Sequence, residues 1–201
     1  ITAVRCEALI AANTQGVERA HLVAFASDGA LLQELFTADG IGTQVSAHSE
    51  DLIRQARLED VADIVEIIRP LEEAGVLVPR SRTQLEQEIA HFFIAELDGV
   101  VVGCCAIYTF ADAAELACVA VHENYRHQYS AMGIGGALLE AAERAAEAHG
   151  AKSLFVLTTQ TQEWFVSHGF SPADVESLPQ SKQSLYNWQR GSAVLQKSLN
   201  F

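Results

Sequence analysis

Met132-Gly133-Ile134-Gly135-Gly136-Ala137-Leu138-Leu139 sets three glycines at the entrance of an Ala-rich stretch that runs to His149-Gly150. Ile134 to His149 carries helical spacing, and Gly150 supplies the stop. The stretch follows a strand-like run, Glu115 to Val121 (ELACVAV), through a loop. A glycine-opened helix after a strand is suited to an anion. Glycine lets a ligand approach the backbone, and the first helical turn presents unpaired N–H groups. Two versions of such a cradle are excluded. The dinucleotide fingerprint GxGxxG needs glycine where Leu138 stands, and no GK[ST] follows to make a P-loop. A plain tight turn is the other reading of the same glycines.

Working outward, Ser153 to Thr159 reads as the next strand, Gln162 to Ser167 as a short helix and Ala193 to Leu199 as a closing strand. Upstream, Phe93 to Leu97, an Asp98-Gly99 turn and Val100 to Tyr108 predict a hairpin. Ser81 with Gln84 predicts a capping box, opening a helix that carries Leu85, Ile89 and Phe92 on one face. Leu58, Val61, Ile64, Val65 and Ile68 follow helical spacing, and Pro70 is expected to end that helix. Leu52 to Ala56 reads as a short strand. The order β-α-α-β-β-β-α-β-α-β predicts an α/β (α+β) layer with a mixed sheet rather than βαβ repeats.

Before the small polar stretch Ser46-Ala47-His48-Ser49-Glu50 lies a unit of different character. His21 to Phe25 reads as a strand, Ala30 to Phe36 as a short helix, and Asp39-Gly40-Ile41-Gly42-Thr43 as a glycine turn. The expected division is 1–48 and 49–201. About 45 residues are few for an independent domain, so this unit either docks on the rest or comes from something larger. The chain starts at Ile1 without an initiator Met or a basic-apolar leader, and reads as a fragment or processed product.

Composition narrows the function. Lys+Arg 13 against Asp+Glu 26 leaves a formal charge of -13, which argues against coating nucleic acid. No window approaches ~18 uninterrupted apolar residues, so no membrane span is predicted. Hydrophobics at 49% exclude a disordered acidic tail. Cys6, Cys104, Cys105 and Cys118 include no CxxC and read as small buried hydrophobes in a reducing cytoplasm. His122, His127 and His149 lack ligand spacing, so no metal site is expected.

The run from ELACVAV through Gly133-Ile134-Gly135 to His168-Gly169-Phe170 resembles the acyl-CoA-binding core of the GNAT N-acetyltransferases. Their loop reads Q/R-x-x-G-x-G/A. Gly133 and Gly135 match it, Ser130 stands at the Gln/Arg position, and the segment before Gly133 is about four residues long in excess. Further stretches resemble bacterial-type N-acetylglutamate synthases: Ile68-Arg69-Pro70-Leu71-Glu72-Glu73, Arg80-Ser81-Arg82, Leu154 to Thr159, Trp164-Phe165, and Leu185-Tyr186-Asn187 with Gln189-Arg190. Gly29 to Thr37 with Asp39 to Thr43 resembles the end of that family's amino-acid-kinase-like domain.

The resemblance implies a GNAT fold and acetyl-CoA as co-substrate. Val119, Ala120, Val121, Met132, Gly133, Ile134, Gly135 and Gly136 would bind it. L-glutamate would be the acceptor, held by Arg80, Arg190 and Ser192 with backbone help from Val78 and Cys118. A hydroxyl at Thr158 would face the leaving thiolate, since Phe165 stands where many GNATs have a tyrosine acid. Arginine would be a feedback effector, and the protein a cytoplasmic homo-oligomer.

Residue chemistry agrees in part. Glu115 sits on an apolar strand, expected on the face of Ala117, Val119 and Val121, in a partly desolvated place that suits a base for an ammonium nucleophile. A solvated strand-end carboxylate is the alternative. Arginine forks bind carboxylates bidentately, so Arg80 and Arg190 suit a dicarboxylate clamp or, equally by spacing, local surface pairing. Rival readings are a GNAT acting on another small amine such as a polyamine, and a non-catalytic arginine-sensing module.

Overall fold

The computed structural model describes residues 3–17, 19–37, 41–46, 52–97, 99–126 and 133–199. It divides into two units, Ile1–Asp51 and Leu52–Phe201.

In the first unit, α1 (Ala3–Thr14), β1 (Arg19–Leu22), α2 (Ala30–Phe36) and β2 (Thr43–Ser46) follow in order. Sequence periodicity did not reveal α1. β1 and β2 pair antiparallel, with Arg19 opposite Ser46 and Leu22 opposite Thr43. The strand expected at His21 to Phe25 therefore starts earlier and stops at Leu22, where its partner ends. Glu34 ties the unit together. Its carboxylate accepts from the backbone N–H of Ile41 (2.8 Å) and Gly42 (2.6 Å) and lies 2.8 Å from His21 Nδ1. Leu31, Leu32, Leu35 and Phe36 of α2 remain exposed, as expected of a segment with too few residues to build its own core.

The second unit is built on a sheet ordered β3-β4-β5-β6-β7-β9-β8. The strands are β3 (Ile53–Gln55), β4 (Phe92–Leu97), β5 (Val100–Thr109), β6 (Ala113–Val121), β7 (Ser153–Thr158), β8 (Ser171–Ala173) and β9 (Ala193–Ser198). The β6–β7 pair is parallel, and the other pairs are antiparallel. α3 (Val61–Glu73) and α4 (Arg82–Glu88) cover one face, and α5 (Gly133–Ala148) with α6 (Gln162–Ser167) cover the other. A short α7 (Gln180–Gln183) precedes β9. The sheet is buried on both faces, which is why β5 reads as an almost unbroken apolar run.

The helices form because their apolar stripes match these faces. Val61, Ile64, Ile67 and Ile68 of α3 are buried, as are Ile134, Leu138, Leu139, Ala142 and Ala146 of α5. Pro70 does not end α3, contrary to expectation. It lies inside the last turn, where one lost N–H bond is tolerable. The stop is Gly75 at φ 72°, with Gly75 N–H bonded to Glu72 O (3.0 Å) and Val76 N–H to Leu71 O (2.8 Å). That is a Schellman cap, which needs a left-handed residue. At α4 only half of the expected capping box forms. Ser81 Oγ accepts from Gln84 N–H (3.2 Å), while the Gln84 amide turns forward to Glu88.

Candidate active site

The site grows from an irregularity in β6. Opposite β5, Ala106 pairs with Ala117 but Cys104 pairs with Ala120, so β6 carries one extra residue. The bulge includes Cys118 at φ 52°, a left-handed non-glycine residue. It also inverts the side-chain alternation. Ala114 and Leu116, then Val119 and Val121, pack on the α5 side, whereas Cys118 and Ala120 pack on the α3 side. Glu115 consequently lies on the face of Cys118 and Ala120, not on that of Val119 and Val121. Strict alternation misplaced it because the bulge is invisible in sequence.

On its other edge β6 pairs with β7 only through Ala113, Ala114 and Glu115. Beyond Glu115 the two strands part, leaving the β7-side edge of residues 116–121 outside that ladder. Val119, Ala120 and Val121 lie on that stretch of β6. After β6 and the segment that follows it, α5 opens at Gly133. There Gly133 has φ 64°, with nothing within 4 Å of where a Cβ would stand. Gly135 is small for a different reason: a Cβ there would meet the Trp164 ring at 3.2 Å. Ile134 and Gly136 point inward and are buried. Met132, expected to bind the co-substrate, lies outside the described residues, as do 127–131 before it.

Glu115 is 6% exposed, with Tyr108 across the ladder on β5 and Phe155 on β7. Its Oε2 lies 2.5 Å from Lys182 Nζ of α7, an ion pair without aligned hydrogen-bond geometry. Lys182 also stands 5.9 Å from the Tyr108 ring centre. Tyr108 donates its hydroxyl proton to Glu88 Oε2 (2.5 Å). Burial and this bond push the Tyr108 phenol well above its usual range. Burial would raise Glu88, but the bonds from Tyr108 and Gln84 outweigh it and hold the carboxyl below its usual value.

Arg80 and Arg190 reach the same loop after α3. Arg190 Nη2 donates to Gly75 O (3.2 Å) and Val76 O (2.7 Å). Arg80 Nη1 donates to Val78 O (3.2 Å), and its N–H bonds Glu72 Oε1 (2.8 Å). Burial works against the Arg80 charge, but Cys118 and Tyr108 outweigh it and hold the guanidinium above its usual value. Ser192 is half-buried, and its carbonyl accepts from the Tyr186 hydroxyl. Val78 is exposed, with its carbonyl taken by Arg80. Cys118 is buried and packs beside Cys104.

At the end of β7 Thr158 is buried. Its Oγ1 accepts from Thr161 N–H (3.1 Å) and lies 2.8 Å from Thr161 Oγ1. The structure thus brings Glu115 and Cys118 to the α3 side of β6 and Arg80 and Arg190 to the loop after α3, while Thr158 ends β7 and the glycines open α5. Lys182 was not singled out from sequence. It sits in a polar stretch with no motif, and only the fold brings it to Glu115.

The arrangement defines a class. Residues 88–172 match the acetyltransferase (GNAT) domain family, and the Leu52–Phe201 unit has the GNAT fold. Over nearly its whole length the chain is similar to amino-acid acetyltransferases. It is 53% identical over 186 residues to that of Azotobacter vinelandii, covering 92% of this chain and 42% of the relative. To that of Aeromonas salmonicida it is 48% identical, covering 99% and 45%. The N-acetylglutamate synthase of Neisseria gonorrhoeae, solved with coenzyme A and N-acetyl-glutamate, superposes with a TM-score of 0.72 at 40% identity, covering 97% of this chain and 46% of that one. The same enzyme with coenzyme A and L-arginine gives 0.72 at 38% identity, covering 100% and 46%. The chain spans less than half the length of these relatives.

Proposed function

We propose that the protein transfers acetyl from acetyl-CoA to the α-amine of L-glutamate. The observation that carries this reading is the buried Glu115 carboxylate at the point where β6 leaves β7. A base there can take the proton from an incoming ammonium and leave the amine free to attack. The Arg80 and Arg190 guanidinium groups, both on the loop after α3, suit an acceptor that carries carboxylates.

The residues fit acetyl-CoA in three respects. The β6 edge past Glu115 offers backbone groups to an extended ligand, Gly133 opens α5 without a side chain, and the helix start presents free N–H donors. Acetyl-CoA supplies the acetyl group as an activated thioester. Backbone N–H of the parted strand at Val119 would polarise its carbonyl. Thr158 would donate to the departing sulfur, with Thr161 N–H and hydroxyl fixing the orientation of the Thr158 oxygen.

The likeness to the synthase solved with L-arginine supports arginine as an effector of the full-length protein, and we place the protein in the cytoplasm as a homo-oligomer. Among the described residues no helix is long and apolar enough to cross a membrane. The test is an acceptor screen with acetyl-CoA, following thiol release. L-glutamate should be the fastest acceptor, with glutamine poor. Faster turnover of spermidine or lysine would end the glutamate assignment.

A further inference from the structure

Lys182 is the cation nearest the candidate base, and the proposed reaction gives it no task. Its Nζ lies 2.5 Å from Glu115 Oε2, its side chain is 27% exposed, and the Tyr108 ring flanks it. An ammonium therefore already occupies the place where the acceptor's ammonium must arrive. The two cannot share one buried carboxylate without strong repulsion.

We infer that Lys182 is a specificity-determining residue that exchanges ion-pair partners with the acceptor. The acceptor's ammonium takes Glu115, and the released Lys182 pairs with the carboxylate one carbon away from that ammonium. This rests on the reading of Glu115 as the group that receives the acceptor amine. Charge balances: one Lys–Glu pair plus one zwitterion become two new pairs, and Lys182 keeps its proton throughout. A simple amine gives no such exchange. It would take Glu115 and leave Lys182 half-buried beside a second cation. The device rewards an α-amino acid and penalises a polyamine, so specificity comes from the repulsive arm as well as the attractive one.

The segment holding Lys182 is placed to allow this. Residues 180–191 are fastened by two cations, Lys182 on Glu115 and Arg190 on the carbonyls of Gly75 and Val76. Both fastenings can be traded for acceptor groups of opposite charge.

The experiment is steady-state kinetics on the full-length protein with Lys182→Gln, Lys182→Met and Lys182→Arg, using L-glutamate as acceptor and 4-aminobutyrate, which lacks the α-carboxylate, as competing amine. Lys182→Gln and Lys182→Met should raise the KM for glutamate at least about tenfold, with kcat falling less than about threefold. The inhibition constant of 4-aminobutyrate should stay the same or fall. Lys182→Arg should keep the glutamate KM within about threefold, since it keeps the charge. Acetyl-CoA titration checks that each variant is folded. Unchanged glutamate kinetics in folded Lys182→Gln, or equal weakening of glutamate and 4-aminobutyrate, would overturn the exchange while leaving the acetyltransferase reading intact. Absence of glutamate turnover in the unmodified protein would remove both.

Discussion

Glu115 combines near-complete burial, a position at the last β6–β7 pairing and a counter-charge in Lys182. Glu115→Gln keeps the shape but cannot accept a proton. It should lower kcat by roughly 10²–10⁴-fold while acetyl-CoA affinity, measured by calorimetry, stays fixed. Unaltered turnover at neutral pH would remove Glu115 from the mechanism. The residue type was legible in the sequence, as a lone acid in ELACVAV. Its facing was not, because one inserted residue at Cys118 reverses every side chain after it. The glycines divide similarly. Gly133 is required by its φ of 64°, so Gly133→Ala should cost roughly 1–2 kcal/mol in the helix-opening turn. Gly135 is required by the Trp164 ring 3.2 Å from its missing Cβ. Gly135→Val should therefore unseat α6 as well as weaken acetyl-CoA binding, and Trp164 fluorescence would report the former. Spacing alone could not separate these two reasons.

Among the elements, α5 is seated on the sheet by a contact that sequence inspection passed over. A Cβ at Gly103 of β5 would stand 3.0 Å from Ala120 O, 3.1 Å from Ile134 Cγ2 and 3.2 Å from Leu138 Cδ1. Gly103 lets α5 approach β5 at the strand register where Val121 lies opposite. Gly103→Val should destabilise the fold by about 1–3 kcal/mol through overpacking, with a matching drop in the urea midpoint. Because the same helix start is the proposed cradle, acetyl-CoA affinity should fall too. The regular elements were legible by period and by turn residues. β8 and α7 were not: Ser171–Ala173 is three residues long, and Gln180–Gln183 is four. Such pieces are too short to show periodicity and take their form from β9 and from the sheet face they cover.

For the whole molecule, a polar anchor among the described residues lies on the first strand of the sheet. Arg54 of β3 makes a fork to Asp60, with both oxygens at 2.8 Å, and donates through Nε to Glu96 of β4 at 2.6 Å. Asp60 also accepts from Arg57 N–H (2.6 Å) just before α3. The Arg54 guanidinium of β3 therefore clips β4 and the entrance of α3 together. The Arg54 bonds outweigh burial and hold the Asp60 carboxyl below its usual value. A depressed carboxyl stabilises the fold above its unfolded pKa and loses that contribution as pH falls through the folded one. Asp60→Asn should thus reduce stability at neutral pH by about 1.5–3 kcal/mol. Denaturant titrations should show the gap to the unmodified protein closing as pH falls below about 4.

The class of fold is legible in the residues alone, because periodicity, turn glycines and the strand–glycine–helix order are local properties. So are the residue types available for the chemistry: one acid on an apolar strand, a few arginines in an acidic chain, and hydroxyls ending a strand. How these meet is set by the folded chain. The β6 bulge set the facing of Glu115, the parting of β6 from β7 left the later residues of β6 outside that ladder, and the return of residues 180–191 brought Lys182 to Glu115 and Arg190 to the loop after α3. Each depends on contacts between residues far apart in the chain. No local pattern encodes such contacts, since their energy exists only once the partner strand or helix is in place.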